Sequence, residues 1–304
     1  MDRDAQAQLR RYLLGTASGA ALVGAAPLAH ADGTIDHIYI DGAFQYAMYG
    51  GQSTAWAPSF FNFDEPRIGA RNGWNTFDDV VLQSGDWYLT IAADYGRSGS
   101  AHAALHQTHY SFPKYYTRTG KARSHEEHTV LDFTVGKDVG LGMFGLDGSS
   151  IISGGLRYAH FISHTATHFS YYYSKFNGPT SYSSFARLVD RQFVGVGPII
   201  TWKARTPIAP DFSFSWGASA AAVIGSRSFE LNGDKVRGQG NVVSPQIGGN
   251  VGITWQEPGS PFALTAGYRV NAYFKIYDQG FDFGGKHTDR IIHGPFAQAT
   301  WQVE

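Results

Sequence analysis

Six charged residues stand at alternate positions in segments whose other residues are mostly small or apolar. They are Asp94, Asp132, Arg157, Lys203, Arg269 and Lys275. In a low-dielectric interior, a charge must pair with an opposite charge or meet water. Two kinds of chemistry follow: a charged lining that selects ions along a path, or a network of ion pairs that fills a narrow interior. The sequence leaves both open.

Histidines offer a second kind of chemistry. The stretch "HFISHTATH" places His160, His164 and His168 four residues apart. On a helix this spacing would gather the imidazoles on one face, as zinc requires. On an extended strand they also share a face, but neighbours lie about 13 Å apart, too far for one metal ion to bridge. We therefore expect neither a metal site nor a cofactor.

Two triplets hold the residue types of a serine hydrolase. They are His109-Tyr110-Ser111 and His168-Phe169-Ser170. Catalysis requires the base within hydrogen-bond reach of the nucleophile, and such triplets arise readily by chance in a chain with 12 histidines. No phosphate-binding loop, dinucleotide fingerprint or zincin motif appears. We expect no enzyme and no catalytic residues, and keep a lipid-modifying hydrolase as an alternative.

Long strands must position these side chains. The segment "FALTAGYRVNAYFKIYD" (262–278) is apolar at every second position over 15 residues. Strict alternation gives a strand one apolar face and one polar face. The same period recurs in seven further segments, at 86–96, 129–136, 151–161, 193–203, 212–225, 246–256 and 291–303.

The polar faces decide where the apolar faces point. A soluble sandwich buries its apolar face, whereas a membrane barrel turns it toward lipid. Here the polar faces are small and neutral, and only 16% of residues are charged. Amphipathic rings near strand ends are typical of a membrane–water interface. This aromatic girdle comprises Trp87, Tyr95, Trp202, Trp216, Trp255, Tyr268 and Trp301. The pattern predicts an all-β, antiparallel up-and-down transmembrane β-barrel.

The connections between these segments alternate in length. Long ones (97–128, 162–192, 226–245) separate shorter ones such as 204–211 and 257–261. This predicts long extracellular loops and short periplasmic turns. Residues 86–304 supply eight core strands. Residues 32–85 supply two more strands, a plug or a periplasmic lead-in. An eight-stranded interior is just wide enough for side chains to fill it, so ten strands favour an open lumen.

The N-terminal stretch "RRYLLGTASGAALVGAAPLAHA" (10–31) has adjacent arginines, an apolar run and an Ala-His-Ala ending. It predicts an export signal cleaved after Ala31; the arginines resemble either an ordinary basic region or a twin-arginine signal. A formal net charge of −1 provides no field to attract nucleic acid. The mature region contains no apolar window long enough for a transmembrane helix.

Four phrases carry a family resemblance: "EEHTVLDFTVGKDVGLGMFG" (126–145), "SGGLRYAHF" (153–161), "FVGVGPIITWKARTPI" (193–208) and "GPFAQATWQV" (294–303). In this order they resemble the Legionella-type major outer membrane proteins, a pore-forming family, from about residue 60 to the end. The resemblance implies an outer-membrane β-barrel of a Gram-negative bacterium with porin activity. The partners implied are outer-membrane lipid and lipopolysaccharide, the barrel assembly machinery, and small solutes or ions.

Two functions therefore remain for the barrel. The first is a porin-like passive pore for small solutes or ions, lined by the six charges. The second is a closed barrel that serves as a structural or adhesive surface protein. Its long connections are rich in Tyr, Ser and Gly, a composition that suits binding at a cell surface.

Overall fold

The computed structural model describes residues 35–59, 63–140, 148–176, 178–281 and 286–303. The predicted export signal, 1–31, lies outside the described residues. Among the residues that are described, no helix is long and apolar enough to cross a membrane.

The described residues form thirteen strands, several of them longer than 20 residues. They are β1 (His37–Gly51), β2 (Thr54–Ala55), β3 (Arg67–Ile68), β4 (Arg71–Ser84), β5 (Trp87–Gly99), β6 (Ala101–Ser111), β7 (Lys114–Asp138), β8 (Ser149–Lys175), β9 (Thr180–Ala209), β10 (Phe212–Leu231), β11 (Asp234–Trp255), β12 (Phe262–Asp278) and β13 (His287–Val303).

Ten strands form an antiparallel ring in the order β1-β4-β5-β7-β8-β9-β10-β11-β12-β13. The ring closes because β13 pairs back with β1 and β5 pairs with β7. Strand β6 continues β5 beyond Ser100 and pairs with the first half of β7. Every ring strand thus has two partners, which satisfies the backbone polar groups that a bilayer cannot solvate.

The ring has ten strands rather than the favoured eight, because β1 and β4 join it from residues 32–85. Strand β4 lacks the usual alternation of apolar and polar residues. Its inner face carries Phe77, which lies 4.1 Å from the guanidinium of Arg269, and Asp79, which pairs with Lys203. The opposite face carries Thr76 and Asp78. A strand with an apolar residue inside and a carboxylate outside does not match the pattern of its neighbours.

The long connections predicted as loops lie at one end of the ring. They are extensions of the strands rather than irregular loops. Hairpins β6–β7, β8–β9 and β10–β11 turn only at 112–113, 176–179 and 232–233. Short turns at 85–86, 210–211 and 256–261 lie at the opposite end. By the usual asymmetry of such barrels, the turn end is periplasmic and the hairpin end extracellular.

The aromatic residues predicted as a girdle lie on the outer face at two heights. Five tryptophans lie toward the turn end: Trp87, Trp202, Trp216, Trp255 and Trp301. Toward the hairpin end, Tyr95 packs against Trp74 with ring centroids 5.5 Å apart. Tyr268, whose hydroxyl lies 2.5 Å from His293 Nδ1, pairs with Val251, only four residues from Trp255, and so lies nearer the middle of the apolar band. From Trp87 to Tyr95 is about 26 Å along the strand, enough for a tilted strand to cross most of an apolar band of about 25 Å.

Between these two girdles the outer face is apolar except on β4, where Thr76 and Asp78 face outward. Leu156, Ile200 and Val251 are exposed on it, and their inward neighbours in sequence are Arg157, Ile199 or Thr201, and Asn250. The apolar faces therefore point outward.

Candidate functional site

The barrel interior is layered, and the layer nearest the turn end is open. A cavity of about 360 Å³ lies there. Its lining includes the small or polar residues Thr201, Ser215, Gly217, Ser219, Gly248, Asn250, Thr254 and Thr265. The small neutral faces read from the sequence thus enclose space at this level.

Ion pairs cross the interior above and beside the cavity. Each joins two strands that lie four places apart in the ten-strand ring, so it connects nearly opposite walls. The pairs are Lys203–Asp79 at 3.0 Å, Arg269–Asp94 at 2.9 Å and Arg290–Glu126 at 2.6 Å. A solute moving along the axis has to pass or break these pairs.

Arg157 and Asp132 form a further pair between neighbouring strands. The guanidinium donates from Nε and Nη2 to the two carboxylate oxygens, each at 2.7 Å, and from Nη1 to Gln246 Oε1 at 3.3 Å. Asp94 also contacts His128 Nε2 at 3.3 Å. Five of the six charged residues selected from the sequence therefore face the interior and have partners there.

Lys275 does not lie with them. The register of β12 against β13 shifts between Tyr273 and Tyr277, and Lys275 sits in this bulge with a φ of 59°. Its side chain is exposed, and its backbone N–H donates to Asp289 Oδ1 at 2.8 Å. A bulge adds residues to one strand and ends the two-residue period, so counting alternate positions past it fails.

An apolar layer closes the interior above the cavity. Phe161 of β8 and Tyr273 of β12 meet across the ring with centroids 4.6 Å apart, and Phe193 lies 6.5 Å from Phe161. The buried members come from β1, β7, β8, β9, β10, β11, β12 and β13: Ala47, Val130, Ala159, Phe161, Phe193, Val223, Val242, Tyr273, Ile276, Tyr277 and Ile292. We call this set the apolar layer.

The extracellular mouth holds the connection from β1 to β4. Its described residues, 52–59 and 63–70, are here called the inner segment. Trp56 is 1% exposed and stacks on Phe169 at 5.9 Å. Arg118 donates to Pro58 O at 2.7 Å and Asp64 O at 2.8 Å, and Arg191 donates to Ala55 O. Barrel arginines thus hold its backbone inside the mouth.

The inward glycines serve two purposes. At Gly155 and Gly197, an added Cβ would collide with a carbonyl oxygen of the neighbouring strand, so strands approach too closely for a side chain. Gly217 and Gly248 instead line the cavity. At this second pair an added Cβ would meet the side-chain amide of a neighbouring asparagine, so these glycines make room for polar side chains of the lining.

The histidine row lies outside the interior. His160, His164 and His168 share the outward face of β8; His164 Nδ1 contacts Asp190 Oδ1 at 2.8 Å. His168 Nε2 contacts Ser184 Oγ at 3.3 Å rather than Ser170. In the other triplet, His109 packs on Phe63. Across the described ranges, no three His, Cys, Asp or Glu side chains are grouped to hold a metal ion.

Several interior residues were missed in the sequence, chiefly Glu126, Arg290, Trp56, Phe161 and Tyr273. Glu126 and His128 share the inward parity of Asp132 on β7, and Arg290 shares that of Gln298 and Thr300 on β13. Extending each strand by parity would have found them. Trp56 gives no such signal, because the inner segment has no two-residue period.

Among solved structures, the chain is similar to three bacterial proteins. One is the outer membrane protease OmpT from Escherichia coli (12% identity, 90% of this chain and 99% of that chain, TM-score 0.45). Another is the translocator domain of the autotransporter NalP from Neisseria meningitidis (11% identity, 96% of this chain and 97% of that chain, TM-score 0.34). The third is the Pseudomonas putida toluene transporter TodX (8% identity, 88% of this chain and 90% of that chain, TM-score 0.27).

No curated protein matches the chain. The sequence profile described as "Legionella pneumophila major outer membrane protein precursor" matches residues 74–303, which run from within β4 to the end of β13. This agrees with the family that the four sequence phrases resemble, and with the outward apolar faces of the ring. The chain is an outer-membrane β-barrel and belongs to the Legionella major outer membrane protein family.

Proposed function

We propose that this protein is a closed outer-membrane barrel with a structural or adhesive role at the cell surface. The observation that supports this most is the apolar layer, in which Phe161 and Tyr273 meet from nearly opposite strands at 4.6 Å. An ion that crosses between packed rings has to leave its hydration shell behind, which costs free energy.

The extracellular hairpins suit contact with other molecules. Their tips expose Tyr110, Phe112, Phe176 and Tyr182, and Phe112 and Phe176 lie 6.5 Å apart, side by side. Exposed aromatic clusters of this kind on a rigid support are typical of interaction surfaces. The strands beneath them hold these rings well above the membrane.

A porin-like passive pore for small solutes or ions is the second candidate. The cavity at the turn end favours it, since it is lined by small polar residues and by paired charges. Passage requires the inner segment and the apolar layer to move. In that case Arg157→Glu and Arg269→Glu each shift ion preference toward cations, measured as a change in reversal potential.

Single-channel recording in planar bilayers separates the two candidates. For the closed barrel we expect no stepwise current from the wild-type protein, and none from an outward control, Leu131→Ala with Phe133→Ala. Stepwise currents from correctly folded wild-type protein would contradict closure and favour the pore. A triple variant, Phe161→Ala and Tyr273→Ala with Trp56→Ala to release the inner segment, tests whether the apolar layer is the barrier. It should conduct, whereas Trp56→Ala alone should not.

A further inference from the structure

The outer wall carries a basic patch on β5, β6, β7 and β8, just beyond the girdle at the hairpin end. It consists of Arg97, His102, Lys121, Arg123, His125 and His168, here called the wall patch. Pairing brings its members side by side: His102 lies opposite Arg123, and Lys121 lies opposite His168.

Arg97 and His125 of this patch share the carboxylate of Glu127, whereas Lys121 and Arg123 have no acidic partner among the described residues. Arg97 Nε lies 3.3 Å from Glu127 Oε1. Arg123 reaches only a neutral group, since Nε and Nη2 lie 3.2 and 3.1 Å from Ser100 Oγ. Lys121 is exposed. In the described part of the chain, neither Lys121 nor Arg123 has a carboxylate at ion-pair distance.

The patch begins at the headgroup level of the outer leaflet with Arg97 and extends above it to Arg123 and Lys121. Arg97 lies two residues beyond Tyr95, about 7 Å along the strand. Arg123 lies six residues beyond Thr129, the partner of Tyr95, about 20 Å along β7. With strands tilted by about 40°, these steps place the two guanidiniums about 5 and 15 Å above the girdle.

The surface around the patch fits a lipid with a charged sugar head. Ala104 and Ala166 flank Lys121 and Arg123 in the pairing, so the long side chains overhang small neighbours. Below the girdle on the same wall, Leu156 and Val196 are exposed for acyl chains. A ligand that satisfies both levels has fatty chains beneath phosphorylated sugars.

We propose that the wall patch binds the phosphate groups of lipopolysaccharide in the outer leaflet. Lys121 and Arg123 donate charge-assisted hydrogen bonds to the phosphate oxygens, and the neighbouring imidazoles donate to sugar hydroxyls or phosphate. The patch lies on the outside of the barrel, so this binding does not depend on whether the lumen is open or closed.

The test measures binding of diphosphoryl lipid A, in mixed detergent micelles, to the folded full-length barrel. The variant is Lys121→Gln with Arg123→Gln. The matched control is Lys114→Gln with Lys175→Gln, which removes the same charge at the distal hairpin tips, where these lysines lie opposite each other. Near an anionic lipid surface, loss of two cations should weaken binding about 30-fold, and the control less than threefold.

Two further arms identify the ligand. Dephosphorylated lipid A should bind the wild type as weakly as the double variant does, and millimolar inorganic phosphate should not displace lipid A. Equal affinities for the wild type and the folded wall-patch variant would overturn the proposal. So would full competition by inorganic phosphate, which would indicate a simple anion site without lipid recognition.

Discussion

At the scale of single residues, Arg290 and Glu126 illustrate how the interior is built. Their side chains are 2% and 6% exposed, and two hydrogen bonds of 2.6 Å join them across the ring. The guanidinium also donates to Asp289 O and Gln52 O. An ion pair that is buried and fully bonded stabilises specific geometry, but it costs desolvation, so removing one partner exposes the full penalty of the other.

The single variant Arg290→Met should therefore lower the free energy of unfolding by about 3–5 kcal/mol, because Glu126 is left buried without a counter-charge. Unfolding in urea, followed by tryptophan fluorescence in lipid vesicles, measures the loss. The double variant Arg290→Met with Glu126→Leu should recover most of it.

The matched control is the exposed pair Lys137–Asp86, whose side chains are 52% and 72% exposed at 4.0 Å. Lys137→Met should cost less than about 1 kcal/mol. If Arg290→Met lowers the free energy of unfolding no more than Lys137→Met does, the Arg290–Glu126 pair does not stabilise the ring.

Interior residues could be predicted from the sequence where odd and even positions of a strand face opposite sides of the sheet without interruption. Asp94, Asp132, Arg157, Lys203 and Arg269 were found because each stands in a clean two-residue period. Their partners across the ring were not predictable, because the contact between Lys203 and Asp79 depends on strand number and on the stagger of ten strands. Lys275 was misplaced because a bulge is invisible in an alternation of residue types.

At the scale of elements, a few side-chain contacts with the barrel wall hold the inner segment in place. Trp56 packs on Phe169 inside the mouth. Arg191 donates to the backbone before it, at Ala55 O, and Arg118 to the backbone after it. Its own strands, β2 and β3, pair over only two residues each. Its position therefore depends on burial of Trp56 and on these arginines rather than on a sheet of its own.

Trp56→Ala should release the inner segment while the ring stays folded, because truncating a buried tryptophan costs about 3–5 kcal/mol and this cost falls on a weakly paired segment. Trypsin cleavage after Arg67 should become much faster, as read by mass spectrometry of the fragments. Trp87→Ala, on the outer face, is the control and should leave the cleavage rate unchanged. Equal rates in all three proteins would show that Trp56 does not anchor the segment.

Strands were easier to predict than their ends. The alternation from residue 86 onward identified the barrel strands, but the hairpin extensions were expected as loops, because Tyr, Ser and His replace the apolar residues there. Beyond the membrane a strand no longer needs an apolar face, so the period fades while the hydrogen-bonded ladder continues. Strand β4 could not be assigned from the sequence because its pattern is reversed: apolar Phe77 faces inward and Asp78 faces outward.

At the scale of the whole molecule, the apolar faces of the ring strands other than β4 point toward lipid. Val251 on β11 is a sharp probe of this, since it is half exposed between the two girdles. Val251→Lys should destabilise the barrel by about 2–4 kcal/mol, the cost of a cation at the bilayer midplane. Unfolding in urea in lipid vesicles measures it.

Thr265→Lys provides the inward control, because Thr265 lines the polar cavity. It should cost distinctly less than Val251→Lys, as water and carboxylates are within reach of a lysine there. The reverse order would mean that the two faces of the ring had been exchanged.

Closure of the interior between the turn end and the hairpin end can be measured by the accessibility of single thiols on either side of the apolar layer. The chain has no cysteine, so Thr265→Cys and Tyr182→Cys place single thiols below the apolar layer and on an exposed hairpin. The proteins are inserted into vesicles with the hairpins outward, and a small membrane-impermeant thiol reagent is added outside. We predict rapid labelling of the Tyr182→Cys variant, and none of the Thr265→Cys variant until detergent opens the vesicles. Labelling of both at similar rates in intact vesicles would contradict a closed interior.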